Sequence, residues 1–97
     1  MKGAGQAHLF QLFVAPGAPN AALAQSNLIS FCNRYLPGLH SIELVDVFRD
    51  SRHTIENGIF MTPTLVRVSP LPRLRIVGTL GDPAALAAAL HLEASIE

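Results

Sequence analysis

The first apolar run, Leu9-Phe10-Gln11-Leu12-Phe13-Val14-Ala15, is interrupted only by Gln11. Apolar residues without alternation predict a strand over 8–15, covered on both faces and so central in its sheet. Pro16-Gly17-Ala18-Pro19 is a stop. The period then changes. Ala21, Ala24, Leu28, Phe31, Cys32 and Tyr35 recur at three- and four-residue intervals, while Gln25, Asn33 and Arg34 fall outside that stripe. This is the signature of a helix burying one face, predicted over 20–36 with Asn20 as its N-cap. Pro37-Gly38 ends it, with Arg34 near the negative end of the helix dipole.

A second strand is predicted over 40–47, closing on Val45-Asp46-Val47. A whole helix separates it from the first, so the natural packing is a right-handed parallel crossover. Asp50 or Ser51 can cap a short helix that runs to residue 57, with Gly58 as its terminator. Thr62-Pro63-Thr64 then opens a strand over 64–68. Proline is tolerated at a strand's first position, where its missing N–H removes no ladder bond, and it pushes Thr62 to extended geometry. Ser69-Pro70-Leu71-Pro72 is short enough for an antiparallel hairpin into a strand over 73–78. That strand alternates Arg73, Leu74, Arg75, Ile76, so it is half exposed and carries both arginines on one face. Asp82-Pro83, an N-cap followed by proline at the first helical position, starts a final helix over 84–94 rich in alanine. The order is β-α-β-α-β-β-α, an α/β chain with a four-stranded mixed sheet.

Ninety-seven residues suit one domain over 1–97, with 1–7 as a loose tail. Nearly half the chain is apolar and 14% is charged, which argues against disorder. A net charge of zero gives no bulk pull toward nucleic acid or an anionic membrane. Lys2 ahead of the first apolar run resembles a signal peptide, but a buried strand explains the run better. The apolar stretch 84–92 is too short to span a bilayer. One cysteine excludes an internal disulfide and a Cys-rich zinc site, and a reducing cytosol is the simpler compartment.

Candidate chemistry is sparse. A thiol enzyme of this topology needs its cysteine at the N-terminus of the first helix, where the dipole lowers the pKa. Gly17-Ala18-Pro19-Asn20-Ala21 offers no sulfur or hydroxyl there, and Cys32 belongs to the buried stripe. His8, His40, His53 and His91 share no metal-ligand spacing. Gly78-Thr79-Leu80-Gly81 lacks the Lys-Ser/Thr of a phosphate loop and reads as a turn. Asp46 is either a carboxylate buried under the sheet's end or the cap of the following turn. No catalytic residue, metal or cofactor is expected. Arg67, Arg73 and Arg75 have two readings, a solvated outer face or a basic patch for an acidic partner.

A strand opened by Thr62-Pro63 in a β-α-β chain resembles the cis-proline loop of thioredoxin-like folds, which makes Pro63 the cis-proline candidate. The ordered set Leu12-Phe13-Val14-Ala15, Pro19-Asn20, Val45-Asp46-Val47, Thr62-Pro63-Thr64-Leu65, Pro70-Leu71-Pro72 and Arg75-Ile76-Val77-Gly78-Thr79-Leu80 resembles the KaiB family over about residues 9–92. The resemblance implies a cytoplasmic, non-enzymatic regulator that binds a KaiC-type ATPase ring and modulates its phosphorylation cycle. A histidine kinase or a KaiA-like protein are further implied partners, and the alternative role is a sensor or adaptor module outside a clock. It also implies two folds: a thioredoxin-like monomer, or a ground state, often tetrameric, whose last segment includes a strand. This chain carries Ala89 and His91 where the family pattern has Gly and Asp, and Thr79 where it has Asp. Alanine exceeds glycine by about 0.8–1.0 kcal/mol inside a helix, and histidine suits a helix C-terminus better than aspartate does. Both changes lead us to expect the thioredoxin-like form.

Overall fold

Strand β1 (His8–Val14) lies at the middle of the molecule, and its residues divide between two cores. The structure is a computed structural model that describes residues 6–92. The chain continues as α1 (Pro19–Tyr35), β2 (His40–Asp46), α2 (Ser51–Glu56), β3 (Thr64–Ser69), β4 (Leu74–Val77) and α3 (Pro83–Ala89). The sheet order is β2-β1-β3-β4. β1 pairs parallel to β2, with Leu12 opposite Leu44, and antiparallel to β3, with Leu12 opposite Leu65. β4 closes the antiparallel hairpin with β3, Val66 facing Arg75 and Arg67 facing Leu74. The expected order and the central position of β1 are both present.

Alternation along β1 sends Phe10, Leu12 and Val14 to one face, where they pack with Leu28, Phe31, Cys32, Leu65, Leu86 and Leu90. This larger core lies beneath α1 and α3. Phe13 points the other way and joins Val45, Ile59 and Val66 in a smaller core on the α2 side. Each fully buried Phe or Leu contributes about 1.5–3 kcal/mol relative to exposure. The α1/α3 layer therefore carries most of the stability.

Two boundaries, the start of α1 and the end of α3, differ from the sequence expectation, each for a physical reason. α1 begins at Pro19, and Ala18 is the N-cap without a side-chain cap. Asn20 is thus inside the helix, because proline's fixed φ favours the first helical turn and moves the cap ahead of it. Asp50 is the N-cap of α2 but its side chain makes no capping bond. α3 stops at Ala89 rather than 94. The N–H of His91 bonds the Ala88 carbonyl at 3.1 Å and that of Leu92 bonds the Ala87 carbonyl at 2.8 Å. This is a Schellman motif, with His91 at φ 59° in the left-handed position. Ala89 is therefore the last helical residue and His91 stands just outside the helix, so the interior-helix argument for these two positions applies only in part. The start of α3 is as expected: Asp82 accepts from the Ala85 N–H at 3.1 Å and Pro83 occupies the first turn. Residues 1–5 of the expected tail, and 93–94 of the expected helix, lie outside the described residues; Gln6 and Ala7 are exposed.

Candidate functional site

Where β1 ends and α1 begins, Val14, Ala18, Asn20, Thr62 and Pro63 line a small cleft of about 80 Å³. The Thr62-Pro63 bond is cis, as are Ser69-Pro70 and Leu71-Pro72. Pro63 thus faces the start of α1, where a thioredoxin-like enzyme would carry its nucleophile. The lining side chains are aliphatic groups, proline rings, the Asn20 amide and the Thr62 hydroxyl. Cys32 sits in the last turns of α1, far from its N-terminus and wholly buried, and loss of hydration pushes its thiol up to about 12. A thiol in that state is not a nucleophile at neutral pH.

The histidines are dispersed. His53 stacks on Phe13 with ring centroids 5.5 Å apart and its Nε2 lies 3.1 Å from Gln11 Oε1. His40 Nδ1 contacts the Leu36 carbonyl oxygen at 2.7 Å. His8 is buried at the start of β1, and His91 is exposed. Among the described residues no three His, Cys, Asp or Glu side chains are placed to hold a metal ion. Asp46 caps its turn: Oδ1 accepts from the N–H groups of Phe48 at 2.9 Å and Arg49 at 3.0 Å. Gly78 and Leu80, at φ 121° and 63°, shape the turn after β4, and the Asn27 amide donates to the Thr79 carbonyl at 2.8 Å.

The three arginines do not form one patch. Arg67 is 3% exposed and shares the α1/α3 face with Leu65, Leu74 and Ile76. Arg75, facing Val66, lies on the α2 side. Its Nη1 donates to the carbonyls of Asn57 at 3.0 Å and Gly58 at 2.8 Å, while Arg73 donates to Asn57 Oδ1. Arg73 and Arg75 thus tie the hairpin to the end of α2, and Arg67 is removed from the expected basic surface. The register across the proline-rich turn, which sequence spacing alone did not fix, makes the difference.

What the sequence reading did not single out is a set of exposed apolar side chains around α2. Phe48, Ile55, Phe60 and Met61 are all exposed, Phe60 to 93%. They occupy α2 and the loops on either side of it. The signal was faint, because a six-residue helix is too short to display a stripe.

Helices on both faces of a β2-β1-β3-β4 sheet, with a cis-proline opposite the first helix, define a thioredoxin-like protein that lacks the thiol at the expected place. The solved structures agree on the fold. The N-terminal domain of Synechococcus elongatus SasA superposes with a TM-score of 0.75 at 21% identity, covering 100% of this chain and 95% of that one. Chloroplastic thioredoxin z gives 0.74 at 20% identity over 93% of this chain and 81% of its own. Residues 11–92 match the KaiB domain family. The circadian clock oscillator protein KaiB of Synechococcus elongatus is 33% identical over 75 residues, 77% of this chain and 74% of the relative. That of Nostoc is 29% identical over 82 residues, 84% and 76% of the two chains. The chain belongs to the KaiB family. No helix among the described residues is long and apolar enough to cross a membrane.

Proposed function

We propose that this protein is a cytoplasmic, non-enzymatic regulator of the clock type, which docks onto a KaiC-like ATPase ring and modulates its phosphorylation cycle. The observation that carries the reading is the set Phe48, Ile55, Phe60 and Met61, exposed on and around α2. Large apolar side chains held in water stabilise nothing in the monomer, and aromatic residues of this kind dominate the energy of protein interfaces. Arg73 and Arg75, at the end of α2, supply polar groups at the margin of such a contact. Family membership supplies the partner class, and a KaiA-like protein or a histidine kinase would compete for the same surface.

The helical α3 supports a chain already in its binding-competent form, so no fraction of the population is withheld from the partner. Association with a co-encoded KaiC-like ring should then proceed without a delay. Mixing the purified proteins and following complex formation by fluorescence anisotropy tests this. A lag of hours contradicts the conformational part, and no complex at any concentration contradicts the partner. Reduction of insulin by the purified protein would contradict the non-enzymatic part.

The fold-level likeness to the SasA domain, which spans this whole chain, favours one second reading: an adaptor module acting in trans in bacterial signalling outside a clock. Binding to a sensor kinase but not to a KaiC-like ring would select it.

A further inference from the structure

At the opposite end of β1 from Pro63 lies an open cleft of about 960 Å³. Its size falls in the range of small-molecule sites, and each neighbouring element named below contributes an arginine or a histidine to it. His8 opens β1, Arg34 comes from the last turn of α1, Arg67 from β3, and His91 follows α3. No Asp or Glu among the described residues lines it. Tyr35 and Leu71 add aromatic and aliphatic surface.

Two of these groups are buried without, among the described residues, the partners their chemistry calls for. Arg67 donates from Nη1 to the Leu90 carbonyl at 3.0 Å and from Nη2 to the Pro72 carbonyl at 3.1 Å. Its Nε is enclosed with no acceptor among the described residues, where both its partners are carbonyl dipoles rather than a carboxylate. His8 is 6% exposed, and its Nδ1 is enclosed without a partner among the described residues. Burial, and then the charge of Arg67, hold the His8 imidazole below its ordinary range. A desolvated guanidinium with no counter-ion among the described residues, beside an imidazole whose charged form is disfavoured by burial first and by that guanidinium second, leaves a positive field in a concave space. Neither the proposed docking surface on α2 nor the Pro63 cleft uses any of these residues.

We propose that this cleft binds a small organic oxyanion, with its charged head between His8 and Arg34 in the field of Arg67 and an aromatic or aliphatic body against Tyr35 and Leu71. The bound anion supplies the opposite charge that the described residues do not give Arg67 and offsets the field of Arg67 at His8. The His8 titration therefore moves to higher pH as the ligand enters. Arg34, Arg67 and His91 are the other charged or titratable groups around it, with Tyr35 on α1.

The test is histidine-ring NMR on the full chain, titrated separately with phenyl phosphate, benzoate and uncharged benzyl alcohol. The expected result is a saturable shift of the His8 ring with one or both anions, at a Kd below about 1 mM. The His8 titration should move to higher pH in the complex, and Arg34→Gln, a surface change, should weaken binding about tenfold. Binding of the phosphate alone, or of both anions, distinguishes a phosphate site from a general oxyanion site. The proposal is overturned if neither anion gives a saturable shift, or if benzyl alcohol binds equally well. It is also overturned if Arg34→Gln and Arg67→Lys both leave the affinity unchanged. A raised His8 titration in the ligand-free protein that drops in Glu93→Gln or Glu97→Gln would place the counter-ion within this chain and exclude an external ligand.

Discussion

Cys32 and His8 respond to pH in opposite senses. Burial raises the Cys32 thiol from 9.0 to about 12, so folding favours its neutral form. Its contribution is whole below the unfolded value and declines as pH rises from about 9 toward 12, by about 1.4 kcal/mol per pH unit. Urea titrations of the protein and of Cys32→Ala should converge over that interval; curves that stay parallel would show that the thiol ionises in the native state. His8 is lowered from 6.5, so what it contributes is present above that pH and is lost as pH falls through the native value. His91 presents a backbone matter instead. At φ 59° a side chain is disfavoured, and glycine relieves that cost at the end of a Schellman motif. His91→Gly should stabilise the protein by about 0.5–1 kcal/mol in urea titrations, whereas a loss would mean that the imidazole makes a contact of its own.

At the level of elements, the junction between α2 and the β3–β4 hairpin rests on Arg75. Its two bonds to the Asn57 and Gly58 carbonyls are solvent-exposed, so Arg75→Gln should cost only about 0.5–1.5 kcal/mol. Gly58→Ala should cost more. Gly58 is at φ +69°, and a Cβ there would lie 2.8 Å from Arg75 Nη1. A double-mutant cycle should show the Arg75-dependent part of that cost vanish in the Arg75→Gln background while the backbone part remains; strict additivity would deny the contact. Sequence made some element ends legible and hid others. Asp82-Pro83 announced α3 because cap and proline act locally, and Pro37-Gly38 did the same for the end of α1. The end of α3 had no such punctuation, since alanine continues as readily as it stops and the stop comes from His91 and from Leu92 packing on the core. The face of Arg67 was hidden for a different reason. A strand's alternation is local, but its phase relative to the next strand is set by the turn between them.

For the molecule as a whole, the two ends of β1 open on separate clefts, one at Pro63 and the other lined by His8, Arg34 and Arg67. The fold class and strand order could be read from periodicity and stops, since these repeat over many residues. The surface that carries the proposed function could not, because exposure of Phe60 is a property of what fails to cover it. Phe60→Ala should leave stability within about 0.5 kcal/mol of the parent and weaken KaiC-like ring binding by tenfold or more. Unchanged affinity, measured on a folded variant, would remove the aromatic from the interface. Arg75→Glu and Arg73→Glu both read less cleanly, because each also loosens the end of α2.

The sheet's second core, Phe13, Val45, Ile59 and Val66, is roofed by a helix of six residues, while its first lies under seventeen and seven. Deuterium should therefore reach the two flanks at different rates. Amides of α2 should exchange by a shallow, local opening that mild urea barely alters, and those of β1 and β3 only when the whole chain comes apart. A protein arranged in this way can reshape the side it offers to others while the opposite side keeps its register.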